Sequence, residues 1–426
     1  MRSRTTLGVA ALVGSIVFLH FEFLSIGGYP LTVAPLAIAL VLRCNALKRH
    51  WPVLLVTLVV ISLGTPVVTA LAYRMPVNWT EYLRTYLLWF FAVAALALGI
   101  SRPLTGRERS WLGAGCFAAL VIVSTFSLMQ RLLALDGSTA LYNPWKSHQY
   151  LYNYDLRAHL LALRAPAFFL EPSFNALVIT SLLFILLLLR YRVVWAFGFA
   201  ILGLQCAASV SGFAILALLG LMSTRILPRG RGAGMVVVRR LSILTLIALS
   251  LWISHAYLTQ RVSSASIVGS STQYRLIAPL PVLQDVLGNS PLGAPLGSVQ
   301  QVLPKYDLLN GQVVGSTLDN GLYLLVYYFG WIALAMGVIL GLRLLFDKPR
   351  ENQFGVRSFV AFSLLTLANT GGIVLPEFIF LYLLVILAFR LQLKPGGVDN
   401  ALSVTVYYHG DSEQPKRSTR DQTLPV

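Results

Sequence analysis

The sequence predicts an all-α fold, a polytopic transmembrane helix bundle of about 12 spans with one long outward loop. Three observations predict it. The chain is 57% hydrophobic and only 12% charged. Apolar runs of span length recur along nearly all of its 426 residues, and about 20 residues at 1.5 Å each cross the hydrocarbon core of a bilayer. Its Lys and Arg also segregate to alternate connections between those runs, as the positive-inside rule requires.

The spans fall at roughly 6–27, 29–43, 52–73, 84–100, 111–134, 167–189, 193–209, 211–226, 241–257, 318–342, 356–373 and 377–393. The first lacks a small-residue cleavage pattern and is expected to be an uncleaved anchor. The second is short, but removing it would invert everything after it and destroy the charge bias. With the N-terminus inside, basic clusters at Arg43/Lys48/Arg49, Arg102/Arg107/Arg109, Arg225 to Arg240 and Arg343 to Arg357 all face the cytoplasm. Nine of the 33 basic residues remain outside: Arg74, Arg84, Arg131, Lys146, Arg157, Arg164, Arg261, Arg275 and Lys305. The net charge of +17 therefore records topology, not a nucleic-acid surface.

Residues 1–393 form the membrane domain, and 394–426 read as a polar, disordered cytoplasmic tail. Two outward loops are long, at about 135–166 and 258–317, and loops of that length are usually functional. The first is rich in Tyr, with Trp145. The second carries five prolines and six glycines, and residues 275–287 are apolar at helix-like intervals. Cys44, Cys116 and Cys206 lie in or beside spans without a CxxC pair and read as small apolar residues. No internal repeat is visible.

Charge at the edge of an apolar helix is costly without a partner or a task, which makes it a functional-site hypothesis. Arg164 and Glu171 flank the start of the sixth span. Arg261, Tyr274 and Arg275 sit in the large loop, Asp319 and Asn320 open span ten, and Glu377 follows Pro376 at span twelve. All fall on the outward side. Arginine suits phosphate because its planar guanidinium donates paired hydrogen bonds and stays charged when partly desolvated. Helix capping is an equal reading for Asp319 and Glu377; Glu171, wedged between Leu170 and Pro172, favours function. There is no phosphate-cradling Gly-rich loop, no HExxH, no GxSxG and no zinc ligand set. A reaction without metal or cofactor, on an already activated lipid-borne substrate, fits best.

Five motifs follow in register: Phe169-Leu-Glu-Pro-Ser-Phe174, Ser209-Val-Ser-Gly-Phe213, Gly269-Ser-Ser-Thr-Gln-Tyr-Arg275, Thr317-Leu-Asp-Asn-Gly-Leu-Tyr323 and Pro376-Glu-Phe378. Over roughly residues 160–390 their order and spacing resemble the colanic acid polymerase family, grouped with Wzy-type polymerases and O-antigen ligases. The resemblance implies a glycosyltransferase of the bacterial inner membrane with both termini cytoplasmic. It would transfer a growing glycan from undecaprenyl diphosphate to the next lipid-linked repeat unit on the periplasmic face. Membrane lipids, a chain-length regulator and an export complex would be its partners. Arg164, Arg261 and Arg275 would grip the diphosphate, Glu171 or Asp319 would act as general base, and Tyr274, Asn320 and Glu377 would orient sugars or arginines. The wider family's ligases use a histidine near the large loop; here His255 precedes that loop, so the role is not carried over. A ligase shares the same fold and leaving group. A flippase would need charges in the middle of several spans, and here nearly all charges sit at helix ends, the main exceptions being His20 and Glu22 in span one.

Overall fold

The computed structural model describes residues 2–26, 29–42, 77–101, 106–142, 144–145, 160, 162–226, 233–263, 273–306, 318–346 and 354–390. These are mostly helical. In chain order come α1 (Arg2–Val17), a hairpin of β1 (Glu22–Ile26) and β2 (Tyr29–Thr32), and α2 (Ala34–Leu42). Next are α3 (Trp79–Ser101), α4 (Gly106–Leu135), α5 (Pro172–Leu189), α6 (Val193–Ala207), α7 (Val210–Ile226), α8 (Ala233–Ile253) and α9 (His255–Ser263). After a π-helical turn, Gln273–Ile277, follow α10 (Leu280–Asn289), α11 (Val299–Val302), α12 (Gly321–Phe346), α13 (Phe354–Ala368) and α14 (Pro376–Arg390). Among the described residues, four stretches are long and apolar enough to cross a membrane: Trp79–Gly99, Glu108–Leu135, Pro172–Leu189 and Gly321–Leu342. The expected span at 52–73 and the polar tail 394–426 lie outside the described residues.

The helix α5 is the hub. Its sequence, Asn175 to Leu189, is apolar on every face, the pattern of a helix surrounded by others. Every residue from Asn175 to Leu189 is buried, and α4, α6, α7 and α14 pack around it. Pro172 opens the helix at a position where a missing N–H costs nothing, and Arg190 closes it in the left-handed conformation.

One expectation is corrected. The first apolar run does not continue as helix to residue 27: α1 ends at Val17, and an antiparallel hairpin pairing Glu22 with Thr32 follows. Gly27-Gly28 between two β-prone runs is a hairpin signal, and it outweighs the raw hydropathy. His20 and Glu22 therefore stand beyond the end of the helix, not in mid-span. The fold is accordingly mostly helical, as expected, with one small two-stranded hairpin among the described residues. The described part of the second long loop, 258–263 and 273–306, is folded, and residues 275–287, apolar at helix-like intervals, fall in the π-helical turn and α10. Beyond α10, Ser290, Ala294, Leu296, Val299 and Leu303 are all buried.

That segment wedges into α12. In a regular helix the Trp331 N–H would bond the Tyr327 carbonyl. Here Tyr327 O accepts the Ala294 N–H at 2.8 Å, and the Trp331 N–H donates to Pro291 O at 2.9 Å. One bond within the helix is exchanged for two to the neighbouring strand of chain. The break needs Gly330, at φ 55° and ψ −138°, because a Cβ there would collide with the Pro291 carbonyl.

Candidate functional site

A cavity of about 250 Å³ opens where α3, α5, α12 and α14 begin. Four helix N-termini thus meet at one place, each bringing the positive end of its dipole. Of the sequence-predicted residues, Glu171, Arg275, Asp319 and Glu377 line it.

Glu171 arrives there through buried polar contacts. Gln130 of α4 reads the backbone of Ala167 in both directions, donating to its carbonyl at 3.0 Å and accepting its N–H at 2.8 Å. Asn175 donates to Ala165 O and to Ser127 Oγ, both at 2.9 Å. These bonds hold a chain that carries two left-handed non-glycine residues, Leu163 and Ala167. They deliver Glu171 in extended conformation to the N-cap position of α5 with no capping bond from its side chain. Its carboxylate is left to the cavity.

Arg275 projects from the π-helical turn between two acids. Its guanidinium lies 3.7 Å from Glu171 and 3.9 Å from Asp319. Both are ion-pair distances longer than a hydrogen bond, and the buried Nε has no hydrogen-bond partner among the described residues. The guanidinium is oriented by charge without its donors being used up.

Asn320, not Asp319, caps α12. Its Oδ1 accepts the N–H groups of Leu322 at 3.0 Å and Tyr323 at 3.2 Å, while its Nδ2 donates to the Arg275 carbonyl at 3.3 Å. The capping reading of Asp319 is thereby corrected. Freed from that role, its carboxyl is pushed up from the usual range by burial, held back by Arg275, and pushed further by Glu171. Gly371 packs so closely on Leu318 O and the Asp319 backbone that no side chain fits there.

Glu377 stands in the first turn of α14 and is buried, accepting the Thr32 hydroxyl at 2.6 Å. Its second oxygen is buried without a hydrogen-bond partner among the described residues. The hairpin thus has a local task, which is to bring Thr32 onto this carboxyl.

The structure does not bring every candidate together. Arg164 is half-buried in the chain before α5 and is not among the cavity's lining residues. Arg261 falls in α9 and Tyr274 in the π-helical turn, but their side chains lie outside the described residues. Sequence reasoning missed Glu81 and Arg84 of α3, which line the cavity and pair at 3.4 Å. Their (i, i+3) spacing at a capped helix start, with Asn78 Oδ1 accepting the Thr80 and Glu81 N–H groups, looks like ordinary helix-surface pairing. His20 also lines the wall, edge-on to Phe174 at 4.4 Å.

A curated relative from Escherichia coli (strain K12) named "Putative colanic acid polymerase" is 27% identical over 227 residues. That stretch is 51% of this chain and 55% of the relative, so the match spans about half the length of each. No solved structure matches the chain. The WcaD colanic acid polymerase family matches residues 9–391, almost the entire chain, and the chain belongs to that family.

Proposed function

We propose that this membrane protein polymerises lipid-linked oligosaccharide repeat units on the periplasmic face of the bacterial inner membrane. It transfers the growing glycan from undecaprenyl diphosphate to the next lipid-linked unit. The observation that carries the reading is Arg275 held between Glu171 and Asp319 in a cavity where four helices begin. Arginine and the converging helix N-termini suit a diphosphate, and the paired acids suit an acceptor hydroxyl. The oxygen of that hydroxyl attacks the anomeric carbon as the bond to the diphosphate oxygen breaks. The electron pair leaves with the diphosphate, and Arg275 stabilises the charge that develops there. Asp319, a buried carboxyl of raised basicity, takes the hydroxyl proton, while Glu171 orients Arg275. Glu377 and Asn320 act on orientation: one has an open acceptor oxygen for a sugar hydroxyl, the other holds the Arg275 backbone. Arg164, Arg261 and Tyr274 are assigned to the approach of the carrier, and a chain-length regulator and export machinery to its surroundings.

Twelve spans with both termini cytoplasmic are consistent with this arrangement. In that topology α3, α5, α12 and α14 are the fourth, sixth, tenth and twelfth spans. All four then start on the periplasmic side, which is where their N-termini converge.

The test is a deletion strain whose lipid-linked glycans are sized by mass spectrometry after sorting by leaflet. Single repeat units on the periplasmic leaflet are expected. Full-length polymer retained on its lipid would mean a ligase instead, and single units on the cytoplasmic leaflet a flippase. In complementation, Arg275→Ala, Glu171→Gln and Asp319→Asn are expected to abolish polymer while the protein still inserts. Wild-type polymer from all three would remove the site assignment.

A further inference from the structure

Arg84 is unaccounted for by the reading above, on which this inference rests. The described cavity lining holds two arginines, Arg84 and Arg275, against four acids: Glu81, Glu171, Asp319 and Glu377. Each arginine is already paired with acids of the same cavity, Arg84 with Glu81 at 3.4 Å and Arg275 with Glu171 and Asp319. Stability does not explain the Arg84 pair. Its side chains are 40% and 23% exposed, and ion pairs so open to solvent add little to stability. A neutral sugar would not call for two guanidinium groups on separate elements. A diphosphate would, since it carries two phosphoryl groups, each matched by one planar fork.

We propose that Arg84 is a second phosphate-binding residue, which leaves Glu81 for the second phosphoryl group of the lipid diphosphate while Arg275 holds the first. Glu81 is then a competitor for the ligand. It holds the guanidinium at the cavity and lowers the affinity of any anion that replaces it.

Full-length protein in nanodiscs, titrated with farnesyl diphosphate and with farnesyl monophosphate, tests this. Wild type is expected to prefer the diphosphate. Arg84→Ala should weaken the diphosphate by about tenfold, the scale of one lost charge-assisted contact, and leave the monophosphate unchanged. Glu81→Gln should tighten the diphosphate. The opposite signs separate ligand binding from helix support, because a structural pair would lose function from either side. Arg84→Ala keeps a good helix former in place, and a thermal melt verifies the fold. Equal weakening of both probes, no weakening by Arg84→Ala, or weakening by Glu81→Gln would each overturn the proposal. Arg275→Ala is the control for the underlying reading. If it too leaves both probes unchanged, the diphosphate site itself is wrong. If it weakens both while Arg84→Ala weakens neither, only the Arg84 assignment fails.

Discussion

Adjacent residues at the mouth of α12 divide two tasks between them. Asn320 takes the capping and Asp319 is left with a buried carboxyl beside Arg275. The carboxyl's affinity for its proton is raised, with burial the largest cause, and the sign of this shift has two consequences. As a base it works only when ionised, so turnover should fall as pH drops through the raised value and level off above it. As a contributor to stability it acts the other way: the folded state binds this proton more tightly than the unfolded chain, so ionised Asp319 costs stability at neutral pH. Asp319→Asn is therefore expected to lose about 100-fold or more in turnover without lowering the melting temperature. A pH–rate profile and a thermal melt check both. Arg275 reaches acids on two different elements with two different nitrogens, which a single ammonium cannot copy. Arg275→Lys should lose about 100-fold in turnover, and steady-state rates decide between this and a role for charge alone.

Among the elements, α12 shows most clearly how backbone bonding builds the wall of the site. Its Tyr327-to-Trp331 bond is surrendered to residues 291–294, and the same segment continues to Gly297, whose backbone lies against the Glu81 carbonyl of α3. One stretch of chain thereby bridges the helix that carries Arg84 and the helix that Asp319 precedes. Gly330 is the position that permits it. Gly330→Ala should destabilise the fold by about 1–3 kcal/mol, read as a lower melting temperature in detergent. An unchanged melting temperature would mean that the wedge does not form.

For the whole molecule, the polarity of the bundle decides where the site can be. Helices that begin together share one membrane face, so a single topological error would move all four N-termini at once. Thiol labelling from the periplasm tests this in a background lacking the native cysteines. Asp136→Cys, just beyond α4, should react with an impermeant maleimide, and Arg190→Cys, just beyond α5, should be protected. The reverse pattern would invert the topology and put the cavity on the cytoplasmic side.

Helical apolar runs and the charges at their ends were legible in the sequence, because hydropathy and the cost of an edge charge are local properties. Glu171, Asp319, Arg275 and Glu377 stood out for that reason. Glu81 and Arg84 did not, since a surface pair three residues apart looks the same whether it faces solvent or a cavity. Nor could the sequence choose between Asp319 and its neighbour as the cap, because that choice depends on where the Arg275 carbonyl lies, 45 residues away. Composition and spacing by themselves determined a membrane-spanning helical chain and the residue types at one of its faces. Only the tertiary structure decided which of those residues share a cavity, because convergence of helices far apart in sequence is set by packing around α5 and by the chain that breaks α12.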